Sequence, residues 1–466
     1  MTETRTYRTE HDSLGDISVP AEAYWGAQTA RAVANFPISG IPISHHTPLI
    51  RALAMVKQAA ALANFSLGAL SAERCKAIVA ASGEIIAGKL HDQFPVDVFQ
   101  GGAGTSTNMN INEVLAHRGR ELMGRPRDDA AALHPNDHVN LSQSTNDVYP
   151  TAVRLSVLLS IAALSDALDR LAFAFERKAE ATARIVKLGR TQLQDAVPMT
   201  VGQELGAYAA TIREDILRLS ESGTLLCEVN LGGTAIGTRI NAGAAYGKRA
   251  IAELARISGF PLVQSANLVE ASWDMGGFVM FSGVLKRIAV KLSKIANDIR
   301  LLSSGPRGGI GEYAIPAMQP GSSIMPGKVN PVIPEVLNIV CFQVIGNDLA
   351  VTMAAEGGQL QLNAFEPLIA HNILSSMSLL TNAIGTFRER CIEGLEARPD
   401  QCAIHIEAGV STVTALVPLI GYERAAALAK QALAEGRTVR ELALLSGLLT
   451  ETQLDEVLRP ERLAAG

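Results

Sequence analysis

TAVRLSVLLSIAALSDALDRLAFAFERKAEATARIV, from Thr151 to Val186, runs for 36 residues without a glycine or a proline. It places Ile161, Leu164, Leu168, Leu171 and Phe175 at steps of three and four, the spacing that lines one face of a single long amphipathic helix. Leu285, Ile288, Leu292, Ile295 and Ile299 repeat the pattern before Arg300, and similar texture fills Gly202 to Cys227, Glu335 to Glu356 and Leu368 to Glu393. Five long helices in one region predict a bundle with near-parallel packing. Aromatic residues make up only 5% of the chain, which suits a core of Leu, Ile, Val and Ala. The expected fold class is all-α.

Outside the bundle the texture changes. Before Asn140, short helical patterns (Leu49 to Leu67, Ala72 to Lys89) alternate with stretches rich in Gly, Pro and Asn. Beyond Arg398-Pro399-Asp400 come short helices, including Tyr422 to Ala434 and Val439 to Leu445. The expected organisation is a mixed helical N-terminal domain over 1–145, a central helical bundle over 146–396 and a small helical cap over 397–466.

Composition narrows the class. With 466 residues, 48% of them hydrophobic and 19% charged, the chain reads as folded around a large core. A net charge of −5 without a Lys/Arg block argues against a nucleic-acid groove. Cys75, Cys227, Cys341, Cys391 and Cys402 include no close pair, so reduced cytoplasmic thiols are expected rather than disulfides or a zinc cluster. Met1 to Thr6 carries mixed charge and leads into no apolar segment, and no apolar run escapes charges over a membrane's width. A soluble cytoplasmic protein with no membrane partner is the expectation.

The chemistry is concentrated in four polar clusters. GSSIMPGKVNP (Gly321 to Pro331) sets two hydroxyls, a fixed cation and an amide in a loop bounded by Gly and Pro, which is equipment for a carboxylate. The others are Gly104-Thr-Ser-Thr-Asn-Met-Asn110, Ser142-Gln-Ser-Thr-Asn-Asp147 and Gly189-Arg-Thr-Gln-Leu-Gln-Asp195. Hydroxyls and amides can hold a dianion without trapping it and can also accept from an ammonium group. Taken alone, Ser144-Thr145-Asn146 also reads as an ordinary N-cap for a helix that starts near Pro150. A helix of 36 residues spans about 54 Å at 1.5 Å per residue. Ser144 to Asn146 precede it and Thr191-Gln192 follow it, so a substrate that uses both clusters draws them from different subunits of a homo-oligomer.

These clusters resemble the signatures of the fumarase/aspartase superfamily, and His134-Pro-Asn-Asp137 matches it too. The likeness extends over nearly the whole chain. Val351 to Asn363 and Gln192 are more similar to the aspartase branch than to the class II fumarases. The resemblance implies a three-domain all-helical subunit with a central five-helix bundle, a homotetramer with a twenty-helix core, and sites shared between chains. It implies reversible deamination of L-aspartate to fumarate and ammonia, with no metal or organic cofactor. Ser322 would be the base that removes the C3 proton, giving an aci-carboxylate that donors aimed at it stabilise. Ser144, Thr145 and Ser323 match those donors. Lys328 and Asn330 match the α-carboxylate ligands, and Thr105, Asn146, Thr191 and Gln192 match groups around the leaving amine. His134 matches a secondary anion site.

Gln192 separates the two branches. The fumarases carry a histidine there, paired with a glutamate that matches Glu335, to handle the proton on leaving hydroxide. A glutamine cannot titrate. Three departures, Arg239 and Trp273 where small residues are usual and a fumarase-like Gly311, keep other substrates open. The alternatives are a class II fumarate hydratase, an amine-eliminating relative of the ergothionase kind, and a non-catalytic protein of the lens-crystallin kind, against which Ser322, Lys328 and Asn330 count. His134 and His138 are four apart, but Pro135 argues against a helical metal pair. His45-His46 reads as a loop pair, and Gly308 to Gly311 as the approach to a mobile lid.

Overall fold

The computed structural model describes residues 6–459 and 462. Met1 to Arg5, within the stretch read as lacking an apolar leader, lie outside the described residues, as do the last residues of the expected C-terminal cap. Helices dominate. The first ten are α1 (Ala27–Asn35), α2 (Thr47–Ser66), α3 (Ala72–Ile86), α4 (Thr105–Leu122), α5 (Thr145–Ala181), α6 (Val201–Thr224), α7 (Tyr246–Ser258), α8 (Gly276–Leu302), α9 (Val332–Glu356) and α10 (Glu366–Phe387). The short helices α11 (Pro399–Ala408), α12 (Val417–Ile420), α13 (Tyr422–Glu435), α14 (Val439–Leu445) and α15 (Glu451–Val457) follow.

Among the described residues four two-stranded sheets, which hydrophobic periodicity did not reveal, punctuate the helices. β1 (Tyr7–Asp12) pairs with β2 (Gly15–Pro20), and β3 (Val186–Thr191) with β4 (Gln194–Thr200), both antiparallel. β5 (Glu228–Val229) runs parallel to β6 (Val263–Gln264), and β7 (Tyr313–Ala314) is antiparallel to β8 (Glu396–Ala397).

The long helix of the sequence reading is displaced at both ends. It begins at Thr145, takes Pro150 into its body and stops at Ala181, because Val186 enters β3. Pro150 offers no N–H to the carbonyl of Asn146 one turn back. The Asn230 side-chain amide donates to that carbonyl instead, at 3.0 Å, so the helix runs through the proline without an orphaned acceptor.

The chain divides into two compact units. The first comprises Met1–Ser165, Leu217–Arg287 and Gln343–Leu379, and the second Asp166–Ile216, Ile288–Phe342 and Leu380–Gly466. In the first unit α2 is buried on almost every face, with Leu49, Ile50, Leu53 and Val56 sealed against α3 and α7. Each such side chain contributes about 2 kcal/mol when removed from water, which outweighs any helix-propensity term. Buried Glu113 of α4 accepts from the backbone N–H groups of Gly26, Gln28 and Thr29, anchoring α4 to the first turn of α1.

In the second unit Phe175 of α5 meets Tyr208 of α6 at 5.7 Å between ring centroids and Phe387 of α10 at 6.4 Å. The helices beyond Val410 close around their own core of Leu416, Leu428, Leu442 and Leu454. Among the described residues two helices, α5 and α9, are long and apolar enough by length and composition to cross a membrane. On α9 much of that apolar surface faces outward: Val336, Ile339, Phe342, Leu349 and Met353 recur at helical spacing and are all exposed.

Gly104 controls how α4 begins. It sits at φ +85°, and a Cβ there would lie 2.5 Å from the ring of Tyr149 on α5. Gly104→Ala combines left-handed strain with overpacking and should lower stability by about 2–4 kcal/mol. Urea denaturation followed by circular dichroism measures this, and an unchanged midpoint would contradict the packing described.

Candidate active site

Within the first unit, two candidate clusters occupy helix N-termini. Thr105 opens α4 after Gly104, and Thr145 opens α5 after Ser144. Such termini carry a partial positive charge that favours an anion, although here Thr105 N already donates to Gly102 O at 2.9 Å and Thr107 N to Gln100 Oε1 at 3.2 Å. The capping role read for Ser144 is realised: its Oγ accepts from Asn146 N at 3.2 Å, while its own N–H donates to Asp147 Oδ1 at 2.9 Å. Asn108, one turn into α4, donates to Thr145 Oγ1 at 3.2 Å and so fixes one helix start against the other. Thr105 Oγ1 donates to Gly102 O at 2.7 Å, leaving its oxygen free to accept. Asn146 spends one amide hydrogen on Ala235 O at 2.8 Å and keeps a second.

Behind these donors lies a buried polar layer that sequence reading missed. Asp147 Oδ2 accepts from the backbone of Gly232 (2.9 Å) and Thr234 (3.1 Å). Burial pushes its carboxyl up to about 6, opposed by the backbone donors and by the charge of Lys57. Lys57 is fully buried, and its Nζ donates to Asn140 Oδ1 and Gln143 Oε1, both at 2.9 Å. Burial lowers its ammonium to about 7, partly offset by Asp147. Asn140 Oδ1 also accepts from Asn108 and Asn112 at 3.2 Å each, tying the lysine to the floor beneath Thr145. A lone Lys57 inside the apolar run Ala52 to Ala63 was the available signal.

In the second unit the Gly321–Pro331 segment is a closed loop. Gly321 N donates to Lys328 O at 2.8 Å, and Asn330 Nδ2 donates to Gly321 O at 2.9 Å. A Cβ on Gly321 would stand 2.7 Å from Lys328 O, so only glycine permits this closure. Ser322 Oγ accepts from the backbone N–H groups of Ile324 (3.2 Å) and Met325 (3.0 Å). Two donors on one hydroxyl oxygen favour its alkoxide. Ser323 and Lys328 are exposed, and Glu335 stands in the first turn of α9.

Thr191 and Gln192 also lie in this unit, at the tip of the β3–β4 hairpin. Thr191 pairs with Gln194, leaving the two-residue turn Gln192–Leu193, at φ +53° and +62°. Left-handed non-glycine residues are strained, and such strain concentrates at functional sites. Arg239 sits on the surface at φ +64°, a left-handed conformation that glycine adopts more readily. Trp273 is half-exposed beside a short 3-10 turn, and Gly311 has φ +62°.

The histidines occupy distinct local settings. His134 caps the π-helical turn Pro135–Val139, accepting from Asp137 N at 3.2 Å, and its backbone donates to His138 Nδ1 at 2.7 Å. His46 lies in the link between a short 3-10 turn and α2 and is buried there, 2.9 Å from His371 across Nε2 and Nδ1, and burial lowers it to about 3. Among the described residues no group of three or more His, Cys, Asp or Glu could hold a metal ion.

A family model described as Lyase matches residues 15–346, and one described as Fumarase C C-terminus matches 413–465. An aspartate ammonia-lyase from Pseudomonas canavaninivorans is 57% identical over 100% of this chain and 98% of its own. That of Escherichia coli K12 is 50% identical over 98% of this chain and 96% of its own. Among solved structures, a fumarate lyase:delta crystallin from Brucella melitensis bound to cobalt has a TM-score of 0.96 and 62% identity, covering 99% of this chain and 100% of that one. The class II fumarase of Schistosoma mansoni follows the same path at TM-score 0.93 and 37% identity, over 98% of this chain and 99% of that one. With its helical units, its glycine-closed serine loop and its donor-rich helix starts, the chain belongs to the fumarase/aspartase lyase family.

Proposed function

We propose that this protein catalyses the reversible deamination of L-aspartate to fumarate and ammonia. The observation that carries the reading is Ser322, whose Oγ already accepts two backbone N–H groups in a loop that also bears Lys328 and Asn330. As an alkoxide it takes the C3 proton. The electron pair left on C3 is delocalised into the β-carboxylate, which Ser144, Thr145 and Ser323 stabilise through their hydroxyls. The C3–C2 double bond then forms as the C2–N bond breaks, and nitrogen departs as ammonia. Lys328 and Asn330 hold the α-carboxylate, while Thr105, Asn146, Thr191 and Gln192 surround the amine. His134 serves as a secondary anion site, and no metal or organic cofactor takes part.

Gln192 favours this reading over hydration of fumarate, because a glutamine has no proton to give a departing hydroxide and leaves Glu335 without the histidine it would assist. The relatives named aspartate ammonia-lyase are also more similar, at 57% and 50% identity, than the fumarase at 37%.

The reading includes a cytoplasmic homotetramer with shared sites, rather than a membrane or nucleic-acid partner. Two features support the assembly. α5 spans 37 residues, about 55 Å, between Asn146 on its first turn and the hairpin that follows its last. The exposed apolar stripe on α9 is suited to a bundle formed with other copies.

Fumarate formation read by ultraviolet absorbance should be seen with L-aspartate, and the reverse reaction when fumarate meets excess ammonium. Faster turnover of L-malate would overturn the assignment. Ser322→Ala should lower kcat by roughly three or more powers of ten while the far-ultraviolet spectrum and oligomer mass stay unchanged. A loss of only a few-fold in kcat would assign proton abstraction to another group.

A further inference from the structure

Glu312 carries none of the roles considered so far, yet it anchors the most concentrated ionic cluster of the second unit. Its side chain is fully buried. Oε1 accepts from Arg190 Nη2 and from His405 Nδ1, each at 2.8 Å, and Oε2 lies 3.2 Å from Lys187 Nζ. Lys187 is itself sealed from solvent and also donates to both oxygens of Glu204 at 2.8 Å. The far edge of the His405 ring meets the Gln401 amide, 3.0 Å from Nε2. Burial alone would raise the Glu312 carboxyl, but the Arg190 hydrogen bond, the Lys187 charge and the His405 hydrogen bond outweigh it and hold the group below the usual carboxylate range.

The backbone of Glu312 is fixed as well. Its carbonyl accepts from Arg398 N at 2.8 Å, and the next two residues form β7 against β8. Arg190 and Lys187 both lie on β3, and Arg190 directly precedes Thr191 and Gln192. The β3–β4 ladder shifts register between Leu188 and Arg190, just before the tip. Beyond that break only the Arg190–Asp195 and Thr191–Gln194 pairs support the left-handed Gln192–Leu193 turn. The grip on Arg190 supplies a fixed point where the ladder is interrupted.

We propose that Glu312 is a positioning residue for the amine end of the site: by clamping Arg190 it holds the hairpin tip in the one geometry that presents Thr191 and Gln192 to the amino group. The proposal rests on the reading of those two residues as amine neighbours. A positioning role separates amine recognition from dicarboxylate recognition, which a general loss of structure does not.

Glu312→Gln keeps the shape but removes the carboxylate that Arg190 pairs with, while Lys187 keeps Glu204. In the full-length protein it should raise KM for L-aspartate, and for ammonium in the reverse direction, roughly ten-fold, with kcat within about three-fold. Inhibition by succinate, a dicarboxylate without the amine, should change less than about two-fold. Amide hydrogen exchange of residues 186–200 should accelerate roughly ten-fold while that of α13 and α14 stays unchanged. Glu312→Asp, which retains the charge one methylene further back, should show the same split at about three-fold and keeps the test decisive if the glutamine variant does not fold. Unchanged hairpin exchange, or equal weakening of amine and succinate recognition, would overturn the proposal. A wild-type protein inert towards L-aspartate would instead remove the functional reading, and the exchange comparison would still decide whether Glu312 holds the hairpin.

Discussion

The Asp147 carboxylate is the constraint on which the first unit's half of the chemistry depends. Three backbone N–H groups, from Ser144, Gly232 and Thr234, converge on its two oxygens. They fix the residue that starts α5 and the loop that runs beside it. A buried charge is costly, and the rise of this carboxyl to about 6 records part of that cost. Removing one backbone donor would leave this buried carboxylate with less to offset that cost. The arrangement holds Ser144, Thr145 and Asn146 at a helix N-terminus without asking the three side chains to hold themselves.

Lys57 completes that layer from below. Its ammonium, lowered to about 7, reaches Thr145 through Asn140 and Asn108 rather than directly. A carboxylate held at the helix starts would meet neutral donors first and a screened positive charge behind them. Such a site stabilises charge that develops during reaction without binding the ground state irreversibly. In the second unit the Ser322 loop follows a related principle, since backbone N–H groups rather than a neighbouring base surround the hydroxyl.

The fold was legible where periodicity runs long. Leu164, Leu168, Leu171 and Phe175 are buried as their spacing indicates, and so are Leu285, Ile288, Leu292, Ile295 and Ile299. Helix ends were less legible, because a proline inside a pattern normally marks a boundary and here Asn230, eighty-four residues from Asn146, repairs the missing bond. The candidate loops were legible through glycine and proline placement, as the closure at Gly321 bears out. Their supports were not. Lys57, Asn230 and Glu312 act on residues tens to more than a hundred positions away, and only the folded chain brings them together. His46 gave no sign of its partner His371 for the same reason.

In the shared site proposed above, Ser322 of one copy works on a substrate held by the Ser144–Asn146 cluster of another. Activity recovered by mixing two inactive variants tests it most directly. Asn146→Ala and Ser322→Ala, denatured together and refolded, should regain activity in mixed assemblies whose sites draw both residues from unaltered positions, with a recovered fraction that follows random assembly as the mixing ratio changes. Hybrids confirmed by native mass spectrometry but no more active than either parent would place the two residues in the same chain at each site and contradict the account.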